Sequence, residues 1–303
     1  MSPSARIILV AGPTASGKSR FAQDLAPSCN GEILNADSQQ FYRGLDIGTG
    51  KLPPHEQKVR HWLLDVCPPG GFMTAMDFAR LADDRIAQLN REGKTPIVVG
   101  GTGLYLRALL EGLDPLPPRN PELRKKIQGE WAREGGEHLH ERLRKIDPAA
   151  AVKISSQDPS RLIRYLEIHA LTGKPPSSLM RRGRSGVLRY AVHSYWLSPT
   201  REELRERIQR RVQTMIEAGW LEEVRELLDS GQDPRGWENK PIGYADLAAC
   251  VSGEISLEET VAKIVLKTRQ YAKRQETFFR GLFKNPAYQN NGCRLSVVNG
   301  VGA

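Results

Sequence analysis

Gly12, Pro13, Thr14, Ala15, Ser16, Gly17, Lys18 and Ser19 reproduce the spacing G-x-x-x-x-G-K-[ST], directly after the aliphatic run Ile7–Val10. Each residue type has a task in such a loop. The glycines let successive backbone N–H groups turn toward one anion, and the start of the following helix adds its partial positive charge. Lys18 brings a full charge to phosphate oxygens, and the Ser19 hydroxyl can ligate Mg²⁺. A phosphate cradle is therefore expected, but it does not name a reaction. Enzymes that cleave nucleoside triphosphates usually hold Mg²⁺ with an acid ending a strand. Asp65 fits that place, whereas the run Ile97–Val99 ends in Gly100-Gly-Thr-Gly103 with no acid. A pyrophosphate leaving group would suit the same cradle. Asp37 ends another apolar run, Glu32–Ala36, and ligands gather at the carboxyl ends of parallel strands. Capping of a strand–helix junction is its plain alternative.

The elements that must position these groups alternate. Strands are expected at Ile7–Val10, Glu32–Ala36, Trp62–Val66 and Pro96–Val99, with helices over Lys18–Ala26, from Thr74 to about Asn90, and over Leu104–Glu111. Thr74-Ala-Met-Asp77 reads as a capping box with Asp in the place of Glu. Continuous apolar strands between helices imply an α/β fold, a parallel-sheet core of P-loop type covered by helices. After the proline-rich break Leu113–Pro118 the pattern becomes helical: Glu122–Arg133, Glu137–Lys145 and Ser160–Leu171. Lys174–Ser178 and Arg181–Gly186 read as mobile loops. A strand over Tyr190–Leu197 and helices over Arg201–Ala218, Leu221–Leu228 and Leu257–Leu282 follow. We thus expect a catalytic core formed by residues 1–114 and 187–282, an all-helical basic insertion over 115–186, and a loosely ordered tail over 283–303.

The 303 residues carry 44 Lys and Arg against 35 Asp and Glu, a net charge of +9. Residues 115–200 hold 16 basic and 8 acidic side chains, and residues 261–280 hold 6 and 1. Cations gathered in two segments point to a polyanion such as nucleic acid. No apolar run approaches a bilayer span, and the N-terminal residues lack a signal-peptide core. The 4 cysteines are far apart and the 6 histidines form no ligand set, which fits reduced thiols in a cytoplasm.

Further blocks carry a resemblance. Asp37-Ser-Gln-Gln-Phe-Tyr42, Asp46-Ile-Gly-Thr-Gly-Lys51, His61-Trp-Leu-Leu-Asp65, Gly100-Gly-Thr-Gly-Leu-Tyr-Leu106, Asp158-Pro-Ser-Arg-Leu-Ile-Arg164, Ile242-Gly-Tyr244, Thr268–Gln275 and Thr277-Phe-Phe-Arg280 stand in this order. Together they resemble the tRNA dimethylallyltransferases (tRNA isopentenyltransferases) over about Ile7 to Arg280. The departures are Ser19 for a common Thr, Tyr165 for Ala and Phe278 for Trp. The resemblance implies transfer of a dimethylallyl group from dimethylallyl pyrophosphate to the N6 amine of adenosine 37, beside the tRNA anticodon, with Mg²⁺ as cofactor. It makes Asp37 the general base and Thr102 and Arg211 donors to the departing pyrophosphate, with the neighbouring Arg210 an open alternative. It places Asp37, Ser38, Gln39, Gln40, Arg124, Ser160, Arg161, Leu162, Ile163, Arg164, Lys273, Arg274 and Gln275 against the anticodon stem-loop. A cytoplasmic monomer is implied.

Three other readings compete. A prenyltransferase acting on free adenylates shares the chemistry but gives no reason for a basic insertion. A P-loop kinase or RNA-stimulated NTPase would use the cradle for phosphoryl transfer. A non-catalytic RNA-binding protein would keep the loop as a vestige.

Overall fold

The computed structural model describes residues 6–180, 187–289 and 293–299. Six strands, β1 (Arg6–Ala11), β2 (Gly31–Asn35), β3 (His61–Trp62), β4 (Thr95–Gly100), β5 (Ala191–Leu197) and β6 (Arg294–Val298), form one sheet in the order β3-β2-β4-β1-β5-β6. Every pairing is parallel. β2 is buried throughout, and β1 and β4 nearly so, as a sheet covered on both faces requires. Parallel pairing also fixes where chemistry can happen. β2, β4 and β1 are neighbours, so Asp37, Gly101–Thr102 and the loop after Ala11 leave the sheet at the same edge.

Helix α1 (Lys18–Leu25) lays Ala22 against Val10, Ile33, Ile97 and Val99. α2 (Ala75–Arg91) begins at the expected capping box: Asp77 N–H donates to Thr74 Oγ1 at 3.1 Å, and Thr74 N–H to Asp77 Oδ2 at 3.0 Å. α3 (Gly103–Glu111) follows β4. The chain divides into two compact units, Met1–Leu110 with Gly186–Ala303, and Glu111–Ser185. The second contains α4 (Pro121–Ile146), broken at Gly135, and α5 (Pro148–Ala151), α6 (Pro159–Thr172) and α7 (Pro176–Leu179). Its core joins Ile127, Leu139, Leu143, Leu162, Ile163 and Leu166. In the first unit, α8 (Arg201–Glu217), α9 (Trp220–Asp229), α10 (Tyr244–Val251) and α11 (Leu257–Leu282) complete the described α-helices.

Four features differ from the sequence reading. The strand expected over Trp62–Val66 stops at Trp62, because Leu63 and Asp65 take left-handed φ values of 62° and 57°. Lys174–Ser178 is no mobile loop: buried Asp147 accepts Ser177 N–H at 2.7 Å and Ser177 Oγ–H at 2.8 Å, holding α7 in place. α10 had no strong periodic signal because it is short. The tail is not loose over its described parts. Phe283 and Tyr288 are buried, and β6 adds a parallel strand to β5; only Val297 and Val298 of its five residues are β-branched, so it is legible as a strand only beside its partner. Arg181–Gly186 lies outside the described residues.

The edge strand yields a test. A chain ending at Gln289 loses β6, leaving β5 as an unpaired edge, and should be about 2 kcal/mol less stable, read as a lower urea midpoint by circular dichroism.

Candidate active site

The cradle forms around backbone already turned inward. Ala15 takes a left-handed φ of 60°, and Ser16 N–H closes a turn on Pro13 O at 3.3 Å. The amides of Ala15, Gly17, Lys18 and Ser19 are left without a backbone partner among the described residues. Ser16 is buried and its Oγ has no partner there either. Such a set of unspent donors is what an anion nest offers. The Thr14 amide is the exception, since it donates to Gln275 Oε1 at 2.8 Å. The other end of that amide side chain, Nε2, donates to Gly101 O at 2.9 Å. Gln275 therefore staples the phosphate loop to the turn after β4. It is buried with both ends engaged, which corrects its placement against RNA.

Asp37 is held at the mouth of this cradle. Its N–H donates to Asn35 Oδ1 at 3.0 Å, and its Oδ1 accepts Gln39 N–H at 3.0 Å. Thr102 Oγ1 accepts Ser38 N–H at 2.9 Å, locking the ends of β2 and β4 together. The Asp37 charge acts on Lys18, Arg211 and Tyr271 at once, so four side chains from distant segments share one site. Burial lowers the Lys18 pKa to about 8; Asp37 opposes that shift and Arg211 adds to it. Lys18 Nζ meanwhile donates to Pro13 O at 2.6 Å. Burial also lowers Arg211, again opposed by Asp37, while the neighbouring Arg210 is exposed. Of the two arginines left open by sequence, Arg211 is the one that stands beside Asp37 and Lys18. Its Nη2 lies 3.4 Å from Thr49 O, and a Cβ on Gly50 (φ 65°) would sit 2.1 Å from the same nitrogen. The left-handed φ favours glycine at position 50, and the missing Cβ leaves the guanidinium room beside the backbone.

Sequence reasoning missed one participant. Tyr271 is pushed up by burial and then by Asp37, against hydrogen bonds from Thr102 and Gln275. It precedes Gln275 by one helical turn, a spacing that puts both on one face of α11, and that was the available signal. Gln40, placed against RNA by the resemblance, donates from Nε2 to Thr49 O and Gly50 O, each at 3.1 Å. Ser38 is buried and Gln39 half-buried beside it, linked by a 3.1 Å bond from Gln39 Nε2 to Ser38 Oγ.

The RNA-facing set in the helical unit divides. Leu162 and Ile163 are core residues of that unit, a correction explained by their apolar spacing on α6. Arg124 and Arg164 both pair with the fully buried Glu167, at 3.3 and 2.7 Å, and Arg164 Nη2 also donates to Pro117 O at 2.7 Å. Those two cations neutralise a buried carboxylate before they serve anything else. Ser160 and Arg161 are exposed, with Arg161 Nε 2.6 Å from Asp158 Oδ2. Lys273 and Arg274 on α11 are exposed too. Asp65, the alternative Mg²⁺ ligand, is spent on Lys51 Nζ at 2.5 Å. Among the described residues no three His, Cys, Asp or Glu side chains converge as a metal cage. The exposed Ser19 hydroxyl, in the first turn of α1, suits an ion that takes most of its oxygens from phosphate and water.

The lowered Lys18 makes anion binding depend on pH. A bound diphosphate favours the charged amine, so binding above pH 8 must take up a proton, and none is needed well below it. Pyrophosphate affinity should fall by up to about tenfold per unit as pH rises past 8. Titration calorimetry in two buffers of unlike ionisation enthalpy should show proton uptake in the native protein that is lost in Lys18→Arg.

A model of the IPP transferase family matches residues 40–282. The chain is 47% identical over 278 residues to a tRNA dimethylallyltransferase of Anaeromyxobacter dehalogenans (strain 2CP-C), covering 91% of this chain and 92% of that one. It is 41% identical over 283 residues to one from Geobacter sulfurreducens, covering 93% and 90%. Among solved structures, the tRNA isopentenylpyrophosphate transferase of Bacillus halodurans matches with a TM-score of 0.66 at 33% identity, over 99% of this chain and 92% of that one. A eukaryotic dimethylallyltransferase acting on tRNA matches at 0.77 and 28%, over 98% and 74%. With its motifs in order and its fold shared, the chain belongs to the IPP transferase family, as do the tRNA dimethylallyltransferases it resembles.

Proposed function

We propose that the protein transfers the dimethylallyl group of dimethylallyl pyrophosphate to the N6 amine of adenosine 37 in tRNA. One observation carries the reading: a single carboxylate, Asp37, stands among two cations, Lys18 and Arg211, at the mouth of an anion nest. The adenine amine is a weak nucleophile because its lone pair is delocalised into the ring, and it needs a base as the C–N bond forms. N6 attacks the prenyl carbon, the C–O bond breaks, and its electron pair goes to the bridging oxygen. The N6 proton passes to Asp37. Lys18, Arg211 and the loop amides meet the growing charge on pyrophosphate, and preorganised donors of this kind usually supply the largest share of rate enhancement. Thr102, tied to the Asp37 segment through Ser38, orients the base and adds a hydroxyl. Mg²⁺, held by Ser19 and the phosphates, would neutralise further charge on the leaving group.

An adenosine stacked in the anticodon loop must be extruded to reach this edge. Phosphates of the anticodon stem-loop fit the exposed cations, Arg161 in the helical unit and Lys273 and Arg274 on α11, because phosphate contacts position a nucleic acid without reading its sequence. The protein acts on this reading as a cytoplasmic monomer, and no described helix is long and apolar enough to cross a membrane. Phosphoryl transfer is the poorer fit: β4, the strand beside β1, ends without an acid, and Asp65 is bound to Lys51.

Incubation with dimethylallyl pyrophosphate, Mg²⁺ and unmodified tRNA should add one prenyl group to adenosine 37, read by nucleoside mass spectrometry. Asp37→Asn should slow single-turnover transfer by about a thousandfold and leave pyrophosphate binding intact. Release of labelled phosphate from γ-labelled ATP at a comparable rate, with no prenyl transfer, would instead establish the kinase reading.

A further inference from the structure

Two sequence blocks have no part in the chemistry above: Asp46-Ile-Gly-Thr-Gly-Lys51 and Ile242-Gly-Tyr244. They meet on one carboxylate. Glu223, in the first turn of α9, accepts Asp46 N–H at 2.8 Å and Ile47 N–H at 2.7 Å on Oε2. Its Oε1 accepts Tyr244 Oη–H at 2.6 Å and, more loosely, Gly48 N–H at 3.3 Å. Three consecutive amides turned to one anion make a nest, here filled by the protein's own side chain. Gly48 permits the approach, since a Cβ there would lie 2.0 Å from Trp220 Nε1.

The far side of the same loop faces the site. Thr49 O accepts Arg211 Nη2 at 3.4 Å and Gln40 Nε2 at 3.1 Å, and Gly50 provides the bare backbone beside that guanidinium. Lys51, nearly buried, fastens the end of the loop to Asp46, Asp65 and Tyr42 O. We propose that Glu223 is a positioning residue: by gripping residues 46–48 it sets the path of Thr49 and Gly50, and through them the place of Arg211 against the departing diphosphate. A carboxylate suits the task because it only accepts. Four donors converge on it, and an amide would oppose one oxygen's pair of donors with an NH₂ group. Tyr244 secures the carboxylate from behind.

The inference rests on the prenyl-transfer reading, so the experiment starts with the unaltered protein. Single-turnover transfer to tRNA, KM for dimethylallyl pyrophosphate and thermal melting are compared for native protein, Glu223→Gln, Arg211→Lys and the double variant. Glu223→Gln should slow transfer by about tenfold or more, while KM changes less than about threefold. In the Arg211→Lys background the same change should cost less than about threefold, because the two act as a unit. An unchanged rate, or the same loss in both backgrounds, overturns the clamp while leaving prenyl transfer standing. An inactive native protein overturns both. Should Glu223→Gln fail to fold, Tyr244→Phe keeps the carboxylate and removes one donor. Its smaller loss should likewise shrink beside Arg211→Lys, and an equal loss in both backgrounds again overturns the proposal.

Discussion

Two cations set against one carboxylate, in a place poor in water, define this protein. Lys18 and Arg211 are both disfavoured by burial, and Asp37 offsets that cost for each without cancelling it. The remaining imbalance is positive, and in the proposed reaction an incoming diphosphate would remove it. Desolvation that would be a defect in a structural lysine becomes an attraction for an anion, since charges interact more strongly where water is scarce. On the proposed reading the same arrangement keeps the carboxylate beside the leaving group, where an arriving amine sheds its proton.

Parallel strand order supplies the framework. Three neighbouring strands end at one edge, so residues from the first loop, the end of β2 and the turn after β4 meet without long connections. Side-chain ties then remove the remaining freedom: Ser38 to Thr102, Thr14 and Gly101 to Gln275, and residues 46–48 to Glu223. Each spends a hydrogen bond on geometry, which is how a site reaches the precision that charge stabilisation demands.

The sheet and the phosphate loop could be read from the chain because their signals are local. Aliphatic runs, glycine spacing and the Thr74–Asp77 capping box each act within a few residues. Asp37 and Arg211 became legible through whole blocks of sequence and not through spacing. What stayed hidden depends on distant partners. Gln275 looked like a polar residue on a basic helix until both its ends were seen bonded to loops far back in the chain. Arg124 and Arg164 looked like phosphate ligands until Glu167 appeared between them. Leu162 and Ile163 were drawn into the RNA set by their neighbours, although their apolar character already placed them in a core. β6 escaped notice because an edge strand this short has meaning only beside β5.

The staple between Thr14 and Gln275 spans 261 positions. Protein synthesis runs from the N-terminus, at about 5–20 residues per second. The glycine loop therefore emerges from the ribosome on the order of tens of seconds before the helix that fixes its second amide. During that interval the nascent chain carries the most recognisable part of the site without its clasp, so on the proposed reading competence for the diphosphate arrives only once α11 has emerged.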